Sequence, residues 1–220
     1  MSRQTVEEYL ETIKTLDEME GSPVRTSSLA RVLTVSSASV SEMLQRLSEK
    51  GMVQYTPYGG VSLTEKGMQK VLKLTRRHRL WEVFLNKHLK IGWEEVYDEA
   101  CNLEHNTSDL VTDKLAHFLG NPTLCPHGSP IPDQKLNLPK TSGTQIASLE
   151  SGTKVEITRI TNEINSKLLK YLNKIGIVPG AKIEIVEKAS YDGTITVKAG
   201  GSIKAISTEV ASIIMVKMLI

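Results

Sequence analysis

The dominant period of the apolar residues changes past the middle of this chain, and where it changes constrains the fold more than any other feature. Up to about Leu119 they recur three and four apart, at helical spacing; past about Thr144 they alternate, as in Lys154-Val155-Glu156-Ile157, at strand spacing. Between the two regimes lie Gly120-Asn121-Pro122, which breaks the last helical pattern, and a polar, proline-interrupted linker over residues 133–143. The pattern predicts a multidomain α+β protein with parts at 1–64, 65–132 and 144–220, the first two mainly helical and the third a small β-barrel.

Residues 5–20 read as an amphipathic helix with Val6, Tyr9, Leu10, Ile13, Leu16 and Met19 as its apolar stripe, ended by Gly21-Ser22-Pro23. Thr26 is a good N-cap for a short helix over 27–33. Thr34-Val35-Ser36 makes a tight turn into a second helix over 37–50, which Gly51 stops. Two short helices joined by such a turn are a helix-turn-helix. Short β segments at 52–56 and 61–63 flank Pro57-Tyr58-Gly59-Gly60 and predict a hairpin, so the head is an N-terminal winged helix-turn-helix. Its second helix offers Ser36, Ser37, Ser39, Ser41, Glu42 and Arg46 as DNA contacts. Small hydroxyls approach phosphates and base edges closely, and Arg46 reaches the backbone. Residues 1–63 hold six Lys/Arg against eight acids, whereas 64–91 hold eight against two. Phosphate attraction therefore has to come partly from the helix that follows the head.

That helix spans about 64–88, is capped by Thr64, and carries His78 and Glu82 four apart on one face. The pattern predicts one further helix over 93–119. It contains Asp98-Glu99-Ala100-Cys101-Asn102-Leu103-Glu104-His105, which sets Cys101, Glu104 and His105 on one face. A thiolate, a carboxylate and an imidazole together are half of a transition-metal site. The alternative is that Cys101 is a small buried residue and its two neighbours are solvated. Leu110, Val111, Leu115, Phe118 and Leu119 give this helix more apolar surface than a helical hairpin needs, and predict a dimer contact. Cys125-Pro126-His127 presents two soft ligands from a compact loop, and in a reducing compartment two cysteines serve as ligands or stay inert rather than pair. Past residue 144, five short strands separated by glycine-containing turns and one short helix predict the barrel. The chain shows no nucleophile constellation, P-loop or dinucleotide fingerprint, so no enzyme and no small organic substrate is expected. It has no apolar run near the roughly 20 residues of a membrane helix and no signal-peptide core, so a cytoplasmic protein away from membranes is expected.

Taken in order, Glu8-Tyr9-Leu10, the winged helix, Arg77-His78-Arg79-Leu80-Trp81-Glu82, Asp98 to His105, Cys125-Pro126-His127-Gly128 and Ile177-Val178-Pro179-Gly180 resemble the diphtheria toxin repressor family over essentially the whole chain. The last part is similar to the SH3-like domain of the ferrous-transport A proteins. The resemblance implies a metal-dependent repressor: a homodimer with a helical metal-binding and dimerisation domain and a C-terminal SH3-like β-barrel, which binds double-stranded operator DNA of metal-uptake genes. It implies a primary metal site of Glu8, Cys101, Glu104 and His105, and an ancillary site of His78, Glu82 and Glu163, to which Cys125 and His127 add. Three positions depart from the iron-type pattern: Glu8 replaces Met, Tyr97 replaces a ligand His, and Ser166 replaces a second barrel-domain ligand. Thiolate chemistry favours Fe2+, and Glu8 keeps Mn2+ open as the alternative; Zn2+, Co2+ or Ni2+ would bind in vitro. A storage or transport accessory role without DNA leaves the winged helix unexplained.

Overall fold

A computed structural model describes residues 2–139, 141, 143–161, 165–189 and 191–219. The chain forms two compact units, one of residues 1–77 with 104–107, the other of 78–103 with 108–220.

In the first unit, α1 (Arg3–Glu20) begins where the Ser2 hydroxyl accepts a hydrogen bond from the Thr5 amide. Its buried stripe is the expected one, except that Met19 is exposed. Helices α2 (Thr26–Leu33) and α3 (Ser37–Glu49) are joined through Thr34 in the left-handed region, φ 56°. Thr26 is the first helical residue rather than the cap; Arg25 holds the cap position and makes no side-chain capping bond. Ser36 does cap α3, accepting from the Ser39 amide at 3.1 Å. The antiparallel strands β1 (Val53–Thr56) and β2 (Gly60–Leu63) form the wing. A Cβ at Gly60 (φ +97°) would lie 2.8 Å from the Val24 carbonyl oxygen, so the main chain that seats the wing leaves no room for a side chain there. Leu10, Ile13, Leu29, Leu44, Leu47 and Val61 are wholly or almost wholly buried in one shared core. That set ties α1 to the helix-turn-helix, and truncating one such leucine typically costs ~2–5 kcal/mol.

Helix α4 (Glu65–Lys87) contributes residues to both units, and Thr64 caps it as expected, its hydroxyl accepting from the Gly67 amide. The single helix expected over 93–119 is two: α5 (Val96–Glu104) and α6 (Asp109–Phe118). The break is local chemistry. Ser108 accepts a bond from the Val111 amide at 3.2 Å and so starts a new helix, a role its hydroxyl performs better than it continues an old one. His105 therefore lies in the turn past α5, not on its face. Leu80, Val83, Leu115, Ala116, Leu119, Cys125 and Ile131 form the core beneath these helices.

The barrel is a six-stranded antiparallel sheet in the order β3-β8-β4-β5-β6-β7, over Thr144–Gln145, Ile214–Met218, Lys154–Ile160, Lys182–Lys188, Ile195–Ala199 and Ser202–Ile206. The strand beyond the expected five is β3, too short at two residues to show alternation. Helices α7 (Ser166–Lys174) and α8 (Thr208–Ser212) complete it around an aliphatic core. The barrel is seated on the helical part of its own unit. Trp93 packs against the barrel core, Lys170 pairs with Glu95 at 2.7 Å, and the Ile160 amide donates to the His127 carbonyl at 3.0 Å.

Candidate metal centres

The second unit gathers a buried centre from α4 and the loop after α6. Glu82 and His127 are wholly buried and Cys125 is nearly so. Their ligand atoms all lie within 4.8 Å of one another. Glu82 Oε1 is 3.0 Å from His127 Nδ1 and 3.4 Å from His78 Nε2, and Cys125 Sγ is 3.9 Å from His127 Nδ1. Burial alone would raise the Glu82 carboxyl; its interactions with His127 and His78 hold it well below the ordinary range instead. Neither of its oxygens makes a hydrogen bond of good geometry. A buried carboxylate is costly unless paired and bonded. A divalent cation is the partner that carboxylate, imidazole and thiol together suit, so the residues fit a metal. The loop is held tightly: the Cys125 amide donates to the Ser129 carbonyl and the Gly128 amide to the Cys125 carbonyl. Trp93, whose role the sequence did not suggest, packs against the His127 ring in a tilted contact, 5.5 Å between centroids. Glu163, the expected barrel-domain ligand, lies outside the described residues.

His78 turns its other nitrogen elsewhere. Its Nδ1 is 3.9 Å from Cys101 Sγ on α5, so it stands beside the expected primary-site thiol as well as beside Glu82. Tyr97 packs on its ring, 4.6 Å between centroids. Glu104 follows Cys101 by one turn on α5, at the spacing that places both on one face.

Within the first unit, Glu104 Oε1 is 3.3 Å from His105 Nε2, and His105 Nδ1 is 2.9 Å from Glu7 Oε2. Glu7 is buried on α1, where its other oxygen meets Arg3 at 2.9 Å and Arg77 at 3.2 Å. Burial would raise this carboxyl, but the bonds from His105 and Arg3 and the charges of Arg3 and Arg77 hold it below its usual value. Glu8, the α1 carboxylate expected at the primary site, is half-buried and accepts from Gln4 at 2.9 Å. Glu7 was not expected; its one sequence signal is a carboxylate on the flank of the Val6, Leu10, Ile13 stripe. By gripping Nδ1 it leaves Nε2 as the His105 donor, the usual outer-sphere arrangement of a ligating histidine.

On the candidate nucleic-acid face, Ser36, Ser37, Ser39, Glu42 and Arg46 are exposed and Ser41 is half-buried. The Ser36 and Ser39 hydroxyls bond each other at 2.9 Å, and Arg46 pairs with Glu42. Leu110, Val111 and Phe118 stand exposed on α6, while Leu115 and Leu119, expected with them, are buried beneath. Among the described residues no helix is long and apolar enough to cross a membrane.

Three family descriptions match the chain in succession: the iron dependent repressor N-terminal DNA binding domain over 1–61, the iron dependent repressor metal binding and dimerisation domain over 64–133, and the FeoA domain over 144–218. The iron-dependent repressor IdeR of Mycobacterium tuberculosis is 32% identical over 192 residues, which cover 82% of this chain and 83% of that one. The diphtheria toxin repressor of Corynebacterium efficiens is 28% identical over 97% of this chain and 95% of its own. A solved structure of a manganese-dependent transcriptional repressor in complex with manganese aligns with a TM-score of 0.85 at 32% identity, covering 97% of this chain and all of that one.

Proposed function

The chain belongs to the iron-dependent repressor family of metal-dependent transcriptional repressors, and from that premise we propose which residues read the metal and how they pass the reading to DNA. One centre is formed by Cys101, Glu104 and His105, with Glu8 from α1 joining them and His78 Nδ1 alongside. The other is formed by Glu82, Cys125 and His127, with Glu163 added from the barrel. The observation that carries this reading is the second centre: a wholly buried carboxylate, a buried thiol and a buried imidazole converge in a chain that also carries a winged helix. Bound there, a divalent ion would bring positive charge to these buried ligands.

The residues transmit occupancy as follows. Glu8 lies on α1, whose stripe packs into the helix-turn-helix core, so a ligand on α1 fixes the DNA-reading head. Leu110, Val111 and Phe118 pair two copies in a homodimer, whose two α3 helices read the two half-sites of an operator. A form that binds DNA better when loaded must, by linkage, hold its metal tighter on DNA. Two thiols among the donors favour Fe2+ as the cellular ion. The acidic Glu8 and the manganese-bound relative support Mn2+ as the second reading. Zn2+, Co2+ and Ni2+ would also occupy such ligands in vitro.

The test is operator binding by the full-length protein, titrated anaerobically with Fe2+ and with Mn2+, for the wild type and Cys101→Ala. We expect metal to tighten wild-type binding about 5–150-fold, the usual range of such couplings, and the variant to lose that gain. Unchanged metal dependence in Cys101→Ala would reject the first centre, and metal-independent wild-type binding would reject the sensing role.

A further inference from the structure

We propose that Trp93 is a positioning residue for the Cys125 centre: anchored in the barrel core, its ring holds the His127 imidazole at the angle that aims Nδ1 at Glu82 and Cys125. This rests on the reading above that Glu82, Cys125 and His127 hold a divalent ion, and every residue it uses lies in the second unit. Trp93 stands ahead of α5, on a turn closed by the Glu95 and Val96 amides, which both donate to the Gly92 carbonyl. The turn is fastened to α7 of the barrel: the Asn173 side-chain amide donates to Glu94 at 3.1 Å, and Lys170 pairs with Glu95 at 2.7 Å. Beside these anchors the indole packs against the barrel core, and its ring meets the His127 ring at 5.5 Å between centroids and 60° between planes.

Packing decides where His127 Nδ1 points. The torsion that turns an imidazole about its bond to Cβ has broad wells, so it does not fix the ring by itself. A partial turn about that bond would swing Nδ1 from its place 3.0 Å from Glu82 Oε1 and 3.9 Å from Cys125 Sγ. The main chain of His127 is already held, because its carbonyl accepts from the Ile160 amide on β4 at 3.0 Å. What remains to be held is the plane of the ring, and the indole bears on it. Two aromatic rings in a tilted contact attract as well as exclude, so the contact sets an angle and not only a volume. A leucine at this position would fill core space but offer the imidazole no ring. Groups that hold a ligating histidine from outside its bond to the ion typically change metal affinity about 10–100-fold.

Co2+ is the probe, since a thiolate ligand gives it an intense absorption band. Full-length Cys101→Ser is the parent, in which that band reports the Cys125 centre alone. In this parent we expect Trp93→Leu to weaken Co2+ binding about 10–100-fold, and Trp93→Phe, which restores a ring, to recover most of the loss. Leu169→Val is the control for the fold: it thins the same barrel core from α7, and should lower the thermal midpoint while leaving Co2+ affinity nearly unchanged. Equal affinity in Trp93→Leu and the parent would overturn the proposal, as would a loss in Leu169→Val as large as in Trp93→Leu. A parent with no thiolate band at all would instead remove the metal reading, and the role of Trp93 with it. A second measurement leaves residue 93 unchanged. In the parent with Trp81→Phe, Trp93 is the one tryptophan left, and Co2+ should quench its emission in step with the band. Emission that stays constant while the band grows would place the indole away from the loaded His127 ring, and would overturn the proposal even if Trp93→Leu fails to fold.

Discussion

Gly128 is where the barrel and the Cys125 centre meet, and Gly128→Ala tests whether that contact positions the ligands. A Cβ there would sit 1.9 Å from the Thr158 carbonyl oxygen and 2.9 Å from Arg159 Cα. Both are main-chain atoms of β4, so no side-chain rotation relieves the clash and the loop and strand must part. Parting them strains the Ile160 amide to His127 carbonyl bond, worth ~0.5–1.5 kcal/mol. The residue also holds φ +83°, which costs a non-glycine residue ~1–2 kcal/mol. Together these give ~2–4 kcal/mol with some displacement of the strand. At about 2–4 °C per kcal/mol for a chain of this size, the unfolding midpoint of the second unit should fall by roughly 4–16 °C in differential scanning calorimetry. Because His127 adjoins Gly128, the Co2+ affinity read from the Cys125 thiolate band should drop with it. Gly152→Ala is the control: it shares the positive φ, +84°, but meets nothing within 4 Å, so it should cost only the conformational part. If Gly128→Ala and Gly152→Ala lower the midpoint equally and leave the band unaltered, the barrel contact does not position the centre.

Two further variants probe the rest of the scheme. Glu7→Gln removes the charge that faces Arg3, Arg77 and His105, and should weaken metal at the Cys101 centre about 10–100-fold, read in Cys125→Ser by the Co2+ band; unchanged affinity would mean that Glu7 only stabilises the fold. Phe118→Asp puts a charge on the exposed α6 ring that packs near Phe84 and His88, and should yield monomers in analytical ultracentrifugation that keep metal but lose operator affinity; a dimer of wild-type strength would place the interface elsewhere.

Local chemistry decided what could be read from the sequence. The stripe of α1, the turn at Thr34, the cap at Thr64 and the alternation of β4 are each written within a few residues, and each appears in the structure. The break between α5 and α6 is written just as locally, in Ser108, but helical spacing continues on both sides of it, and period outweighed the cap. The partners of Glu7 could not be read in the same way. Three acids at positions 7, 8 and 11 look like a solvated face. Only Arg77, seventy residues on, and His105, ninety-eight on, show that one of the three is buried.

The same distinction bears on the two candidate metal centres. The spacing of Cys101, Glu104 and His105, and of Cys125 and His127, identifies groups of donors but not which group a shared neighbour serves. His78 sits four residues before Glu82, and sequence spacing alone assigns both to one site. The fold gives the ring two faces by packing α5 against α4, which brings Cys101 to Nδ1 while the helix's own next turn holds Glu82 at Nε2. A residue placed between two sites by tertiary packing is a property of neither motif.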